Sequence, residues 1–212
     1  MSQIQHQTDA VFLALNGRPQ DDPMFVLERW LGEARSQVGF MATAMSLATV
    51  SPSGDPDVRV VLLQSIRDDG LVFFTNLTST KGKHMLATGK AAACFHWPAL
   101  ARQIRVRGTV RQVTDAYADQ YFAGRPRGSQ IGAHASAQSS VIADRSELIS
   151  RATALENSYA GAPVPRPAHW SGLCLVPSEI EFWEDGADRL HDRMLFTRLS
   201  GDDGWSAVRL AP

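Results

Sequence analysis

The 212-residue chain predicts a mainly β fold with helices set into it, an α+β arrangement built on an antiparallel barrel. Three observations point that way. Short runs rich in β-branched and aromatic residues recur along the sequence. Tight turn signals such as Ser53-Gly54 and Asp68-Asp69-Gly70 separate most of them. Helical periodicity is confined to stretches that open on a capping residue.

Residues 1–21 are polar, mixed and without a cap, so they are expected to form a mobile N-terminal arm, with residues 22–212 as a single domain. Asp22-Pro23 opens a helix with Asp22 as N-cap, and Val26, Leu27, Trp30, Leu31 and Ala34 follow at helical spacing. Strands are expected at Ala42–Val50, Asp57–Ser65, Leu71–Thr75, Ala91–Trp97 and Gln103–Val113. Ser79 caps a short helix through Leu86, and Thr114 opens another to about Ala123, followed by a loop at Gly124–Gly128. Asp144 with Glu147 forms a capping box for a helix reaching Tyr159, and Pro163, Pro165 and Pro167 stiffen the connector after it. Final strands are expected near Gly172–Val176, Ile180–Trp183, Arg189–Leu199 and Trp205–Leu210.

Composition sets bounds on function. A net charge of -1 and a pI of about 6.6 provide no global basic field for nucleic acid or an anionic membrane, so any anion site must be local. No apolar run approaches a membrane span, and the N-terminus lacks the pattern of a signal peptide, so the protein is expected in the cytoplasm. Cys94 and Cys174, far apart in apolar surroundings, read as buried free thiols. The six histidines are scattered without a ligand spacing, and no metal site is expected. Gly82 to Gly89-Lys90 has the wrong spacing for a phosphate loop, and no Gly-x-Ser-x-Gly elbow is present.

Several cationic groups stand out instead. On a strand, Arg189, His191 and Arg193 share one face beside Trp183, a row too costly to bury without water, carboxylates or an anionic ligand. Arg59 lies among residues that favour burial, in Val58-Arg59-Val60-Val61-Leu62-Leu63-Gln64, so its charge needs a partner. Lys81 sits in the first turn after Ser79, where helix amides favour phosphate. Gln103 alternates with Arg105 and Arg107, which a solvated strand edge explains equally well. Tyr121, Arg125 and Ser129 combine the donors that a phosphate monoester needs. Each of these taken alone is also explained by an ordinary surface charge or turn.

Together, the runs Arg59-Val60-Val61-Leu62-Leu63, Phe73-Phe74-Thr75-Asn76, Arg125-Pro126-Arg127-Gly128-Ser129-Gln130-Ile131-Gly132, Gln138-Ser139-Ser140, Glu181-Phe182-Trp183 and Arg189-Leu190-His191-Asp192-Arg193 resemble the pyridoxamine/pyridoxine 5'-phosphate oxidase family in order and spacing, from Asp22 to Pro212. The resemblance implies an antiparallel split β-barrel homodimer that binds FMN between subunits and uses molecular oxygen as acceptor. It implies flavin contacts from Arg59, Phe74, Thr75, Lys81, Gln103, Gln138, Ser139, Trp183 and Arg193. Tyr121, Arg125 and Ser129 would take the phosphate of a phosphorylated pyridine substrate, with Arg189 and His191 flanking the ring as the catalytic pair.

Three positions depart from the family. Gln64 stands where the family has a Lys that helps neutralise the substrate phosphate. Residues 1–21 contain Arg18 and no Tyr, whereas the family's arm carries an Arg-rich segment with a Tyr that closes over the substrate. Thr80 replaces a second basic residue beside the flavin phosphate. These keep two further readings open: a flavin oxidase of the phenazine-biosynthesis type acting on another aromatic substrate, and a non-catalytic FMN or pyridoxal phosphate binding protein.

Overall fold

The computed structural model describes residues 22–67, 70–201 and 204–212; the expected arm at 1–21 and the Asp68-Asp69 part of one expected turn lie outside them. Nine strands are formed among the described residues: β1 Ala44–Val50, β2 Pro56–Leu62, β3 Ser65–Arg67, β4 Gly70–Asn76, β5 Lys90–Trp97, β6 Arg102–Gln112, β7 Trp170–Glu184, β8 Asp192–Arg198 and β9 Trp205–Arg209. They run in the order β2-β1-β5-β6-β7-β4-β3, with β8 on β7 and β9 on β8. The β3·β4, β4·β7, β7·β8 and β8·β9 pairs are antiparallel. The helices are α1 Pro23–Val38, α2 Thr80–Thr88, α3 Asp115–Ala123, α4 Arg127–Ala135 and α5 Arg145–Ser158. By their contacts these elements form two units interleaved in sequence, one ending at residue 46 and resuming over 92–108 and 177–212, the other made of 47–91 and 109–176.

In the first unit, α1 forms as the sequence predicts. The Asp22 carboxylate accepts from the Met24 amide at 2.9 Å, and Val26, Leu27, Trp30, Leu31 and Ala34 are all buried. Trp30 packs edge-on against Phe182 with centroids 5.2 Å apart, and Phe182 in turn meets Phe196 at 5.8 Å. The guanidinium of Arg102 lies 4.5 Å over the Trp30 ring and binds both Glu33 and Glu184.

The second unit is organised around β4, which is buried at every position except Phe74 and pairs with β7 over Leu71–Asn76 and with β3 over Gly70–Val72. Phe122, Ile131, Val164 and Trp170 form a core beside it, joining α3, α4 and the proline connector to the start of β7. Ser79 caps α2 by accepting from the Gly82 amide at 3.3 Å, as expected. A side chain at Gly82 would press within 2.6 Å of the Asn76 carbonyl, so this close turn needs glycine. Asp144 and Thr114 cap their helices as predicted.

Several expectations are corrected. The chain from Arg189 is not strand: Ala187–Arg189 is a 3-10 turn with Asp188 and Arg189 at φ 56° and 64°, and β8 begins only at Asp192. Arg189, His191 and Arg193 therefore do not form a row on one strand face. The turn is tight enough that a Cβ on Gly186 would collide with the Leu190 carbonyl. The two strands expected at 172–183 are one, since Pro177 falls where β7 changes partner from β4 to β8 and its missing N–H interrupts neither ladder. The run Asp57–Ser65 breaks at Leu63-Gln64 into β2 and β3, and the chain after Pro126 continues as α4 instead of a loop through Gly128. The neighbours of Arg59 are not buried: Val58 and Val60 are each 64% exposed on β2. Cys174 is buried as expected, whereas Cys94 is only half-buried.

Candidate active site

The second unit contains a cavity of about 570 Å³ whose wall includes Gln64, Phe74, Thr75, Lys81, Tyr121, Arg125, Ser129 and Gln138. Eight residues predicted from five separate stretches of sequence thus meet on one surface. Asn76, Ser136 and Trp170 also line it; Asn76 ends one of the runs that carry the family resemblance, whereas Ser136 and Trp170 carried no signal in the sequence.

Two groupings of cationic and polar side chains lie on this wall. The first is at the N-terminus of α2, the positive end of the helix dipole, which favours negative charge. The Lys81 amine donates to Gln138 Oε1 at 2.8 Å and to Ser79 Oγ at 3.2 Å, both neutral acceptors. The Thr80 amide donates to Ser139 Oγ at 3.3 Å, with Ser139 itself at φ 73°. Burial, together with the nearby charge of Arg59, holds the Lys81 amine below the usual lysine value. Arg59 does not line the cavity; it donates to Thr49 Oγ1 at 2.7 Å and the Leu47 carbonyl at 3.0 Å, and pairs with Asp57.

The second grouping surrounds Arg125. Burial lowers its guanidinium from the ordinary arginine value, Nη1 is enclosed without a hydrogen-bond partner, and among the described residues no carboxylate pairs with it. A half-buried guanidinium that lines a cavity with no carboxylate beside it fits an anionic ligand. Ser129 stands nearby in the first turn of α4, and the Tyr121 hydroxyl donates to Gln64 Oε1 at 2.8 Å. Burial raises the Tyr121 phenol, so it stays a neutral donor near pH 7. Tyr121 stacks on Phe74 with centroids 3.9 Å apart, and Phe74 on Trp170 at 5.0 Å.

The remaining predicted residues belong to the first unit. Trp183 opposes Arg193 across β7 and β8, and the His191 ring lies 4.7 Å from that of Trp183. His191 Nδ1 is 2.9 Å from Asp185 Oδ1 and 3.2 Å from the Gly186 amide nitrogen, donating to the carboxylate when it carries the proton and accepting from the amide when it does not. Arg193 binds Glu181 at 2.9 Å and the Ala211 carbonyl at 2.9 Å. Glu181, buried, also accepts from Arg105 at 2.8 Å, so its charge is shared between two guanidiniums. Gln103 is half-buried on β6, and Arg189 is exposed in its left-handed turn. No group of three or more His, Cys, Asp or Glu able to hold a metal exists among the described residues.

Residues 34–159 match the family model described as pyridoxamine 5'-phosphate oxidase, and residues 170–212 match that of the pyridoxine 5'-phosphate oxidase C-terminal dimerisation region. The chain belongs to the pyridoxamine 5'-phosphate oxidase family. A pyridoxine/pyridoxamine 5'-phosphate oxidase of Brucella anthropi is 48% identical over 190 residues, covering 90% of this chain and 94% of that protein. That of Azorhizobium caulinodans is 48% identical over 192 residues, covering 91% of each. Among solved structures, PhzG from Burkholderia lata 383, in complex with tetrahydrophenazine-1-carboxylic acid, aligns at a TM-score of 0.85 and 34% identity over 92% of this chain and 94% of its own. A pyridoxamine 5'-phosphate oxidase-related, FMN binding protein of Nostoc punctiforme shares the fold at a TM-score of 0.72 and 18% identity, covering 92% of this chain and all of its own. The family's antiparallel split-barrel fold is the class predicted from sequence.

Proposed function

We propose that the chain is an FMN-dependent oxidase converting pyridoxamine 5'-phosphate or pyridoxine 5'-phosphate to pyridoxal 5'-phosphate, with oxygen as acceptor and hydrogen peroxide as product. The observation that carries this reading is the half-buried Arg125, its Nη1 unpartnered, on one cavity wall with Tyr121 and Ser129. That trio suits a phosphate monoester, which accepts several charge-assisted bonds at once.

The residues present also fit FMN. Lys81, satisfied only by neutral oxygens and close to the Arg59 charge, gains a matching partner when a phosphate dianion arrives at the α2 N-terminus. Thr75, Gln138 and Ser139 supply neutral donors around it, and Phe74 supplies an apolar surface. When bound, the flavin supplies the redox chemistry, drawing electrons from the substrate carbon and delivering them to oxygen. The chain's own task is to hold the substrate by its phosphate and aim its reacting carbon. In this reading Arg189 orients the pyridine ring, and His191, linked to Asp185, holds the substrate or moves a proton. Gln103, Trp183 and Arg193 serve the flavin in a homodimer, for which the C-terminal dimerisation region and the exposed apolar face of Val58, Val60 and Leu62 provide support.

The deciding experiment adds pyridoxamine 5'-phosphate to the purified yellow protein and measures peroxide and pyridoxal 5'-phosphate together. Equal amounts of both are expected; flavin-loaded protein that releases neither would leave a binding protein. A second prediction concerns Arg125→Ala, which removes a charge-assisted bond of about 1.5–3 kcal/mol and should raise the Michaelis constant by roughly 10- to 150-fold. Turnover should fall much less, because the phosphate is remote from the reacting carbon and is held alike in ground and transition states.

One observation favours the phenazine-type alternative. Gln64 takes the place of the family's Lys and accepts a hydrogen bond from the Tyr121 hydroxyl, so the pocket has one charge fewer. Gln64→Lys should restore it, lowering the Michaelis constant for pyridoxamine 5'-phosphate by about fivefold in low salt and by less in high salt. Loss of activity in that variant, with no pyridoxamine 5'-phosphate oxidation by the native protein, would establish the alternative.

A further inference from the structure

The Arg125 guanidinium needs something to hold it, because no carboxylate pairs with it among the described residues and its Nη1 has no hydrogen bond. What it does have is aromatic faces: its central carbon lies 4.7 Å from the Trp170 ring centroid and 5.6 Å from that of Phe122. Phe122 meets Trp170 edge-on at 5.1 Å, so Trp170 presents the nearer face and is itself propped from the side. The plane of Trp170 is parallel within 3° to that of Tyr121 and within 12° to that of Phe74. One stack therefore orients both the hydroxyl and the guanidinium of the phosphate trio.

Trp170 is in turn fixed from outside the cavity. Arg166 donates to the Trp170 carbonyl at 2.8 Å, to Asp119 at 2.6 Å and to Asp115 at 2.8 Å. Both aspartates lie on α3, the helix that ends just beyond Tyr121 and Phe122. A single guanidinium thus ties the first residue of β7 to the helix carrying Tyr121. The hydrogen bonds that Arg166 donates, to Asp119 above all, hold its proton more firmly than usual, so the guanidinium keeps its charge.

We infer that Trp170 is a positioning residue for the substrate phosphate, setting the Arg125 guanidinium by cation–π contact and itself held in place by Arg166. The inference rests on the phosphate site proposed above. A guanidinium is planar in itself, and holding it against an aromatic face fixes where that plane lies, so the donors are aimed before ligand arrives and less rotamer freedom is lost on binding.

The test uses the full-length flavin-loaded protein, with Michaelis constants for pyridoxamine 5'-phosphate and for pyridoxamine. Trp170→Leu, which keeps apolar bulk and removes the π face, should raise the ratio of the phosphorylated to the unphosphorylated constant by about three- to thirty-fold. Trp170→Phe should recover most of that change, and Arg166→Met should move the ratio in the same direction. In an Arg125→Ala background, Trp170→Leu should add less than about twofold, since the group it positions is gone. A ratio that Trp170→Leu leaves unmoved, or an effect equally large with Arg125 absent, overturns the inference and makes Trp170 a core residue only. If Trp170→Leu fails to load flavin, Arg166→Met decides on the same criterion, because it leaves the tryptophan in the protein. A native protein that neither oxidises pyridoxamine 5'-phosphate nor binds pyridoxal 5'-phosphate in calorimetry overturns the proposed function, and this inference falls with it.

Discussion

Replacing Arg59 and Lys81 together by alanine is expected to strip the flavin from the purified protein. Each charge-assisted bond to a phosphate contributes about 1.5–3 kcal/mol, so loss of both should weaken flavin binding by two or more decades. The geometry gives the pair a common effect. Arg59 is close enough to oppose the Lys81 charge, and a phosphate dianion removes that opposition while gaining from both cations. Lys81→Ala alone should be the worse of the two single changes, because Lys81 lines the cavity whereas Arg59 is also engaged by Asp57 and Thr49. The pH dependence has a definite sign. The free protein holds Lys81 below the usual lysine value, and the bound phosphate favours its charged form, so affinity should decline as pH rises through that depressed value. The check is the visible absorbance of dialysed protein against pH; a double variant that stays fully yellow would remove both residues from the flavin site.

Arg102→Met is expected to produce the largest loss of stability. Arg102 is 9% exposed and binds Glu184 at 3.0 Å, with Glu33 as its second carboxylate and the Trp30 face beneath it. Burial is the main influence on the Glu184 carboxyl and pushes it above the usual carboxylate range, against the pull of Arg102; its Oε2 already lacks a partner. Methionine keeps the length and removes the charge, leaving an uncompensated carboxylate at a cost of about 3–5 kcal/mol. Without Arg102 the folded pKa of Glu184 rises further above its unfolded value. The penalty is then greatest at neutral pH and is relieved as pH falls through the raised folded value. Denaturant midpoints for the native protein and the variant should therefore converge on acidification from pH 7. Adding Glu184→Gln should recover a large part of the loss at neutral pH, and a double variant as unstable as the single one would place the cost in packing against Trp30.

Local signals located the capped helices well. Asp22-Pro23 and the apolar spacing of Val26 to Ala34 specify α1 without reference to anything distant, and all five apolar residues are buried. Where the outcome depends on a partner far away in the chain, sequence reading fails. Pro177 reads as a break because its lost N–H matters only if that position needs a partner, and the partner change on β7 is a property of the folded sheet. Alternation suggested a strand through Arg189 and His191, but the close approach of Gly186 to the Leu190 carbonyl and the positive φ of Asp188 and Arg189 make a turn there. The cavity residues were legible through their resemblance to a family, since Lys81 or Arg125 alone looks like any surface cation. Trp170 had no such marker. Its importance arises from ring planes and from Arg166, which become neighbours of the site only after folding.

The pairing of β4 with β7 also governs how the protein can be made. Leu71 pairs with Leu175, roughly a hundred residues downstream, so β4 has only the short β3 as a neighbour until β7 is synthesised. At about 5–20 residues per second, a ribosome leaves that edge open for some five to twenty seconds. The exposed segment reads Leu71-Val72-Phe73-Phe74, an uncharged β-forming run of the kind that adds to other open edges. Newly made chains are therefore most at risk of sticking to one another just before completion, and a nascent chain halted ahead of Trp170 retains that vulnerability however well its helices have formed.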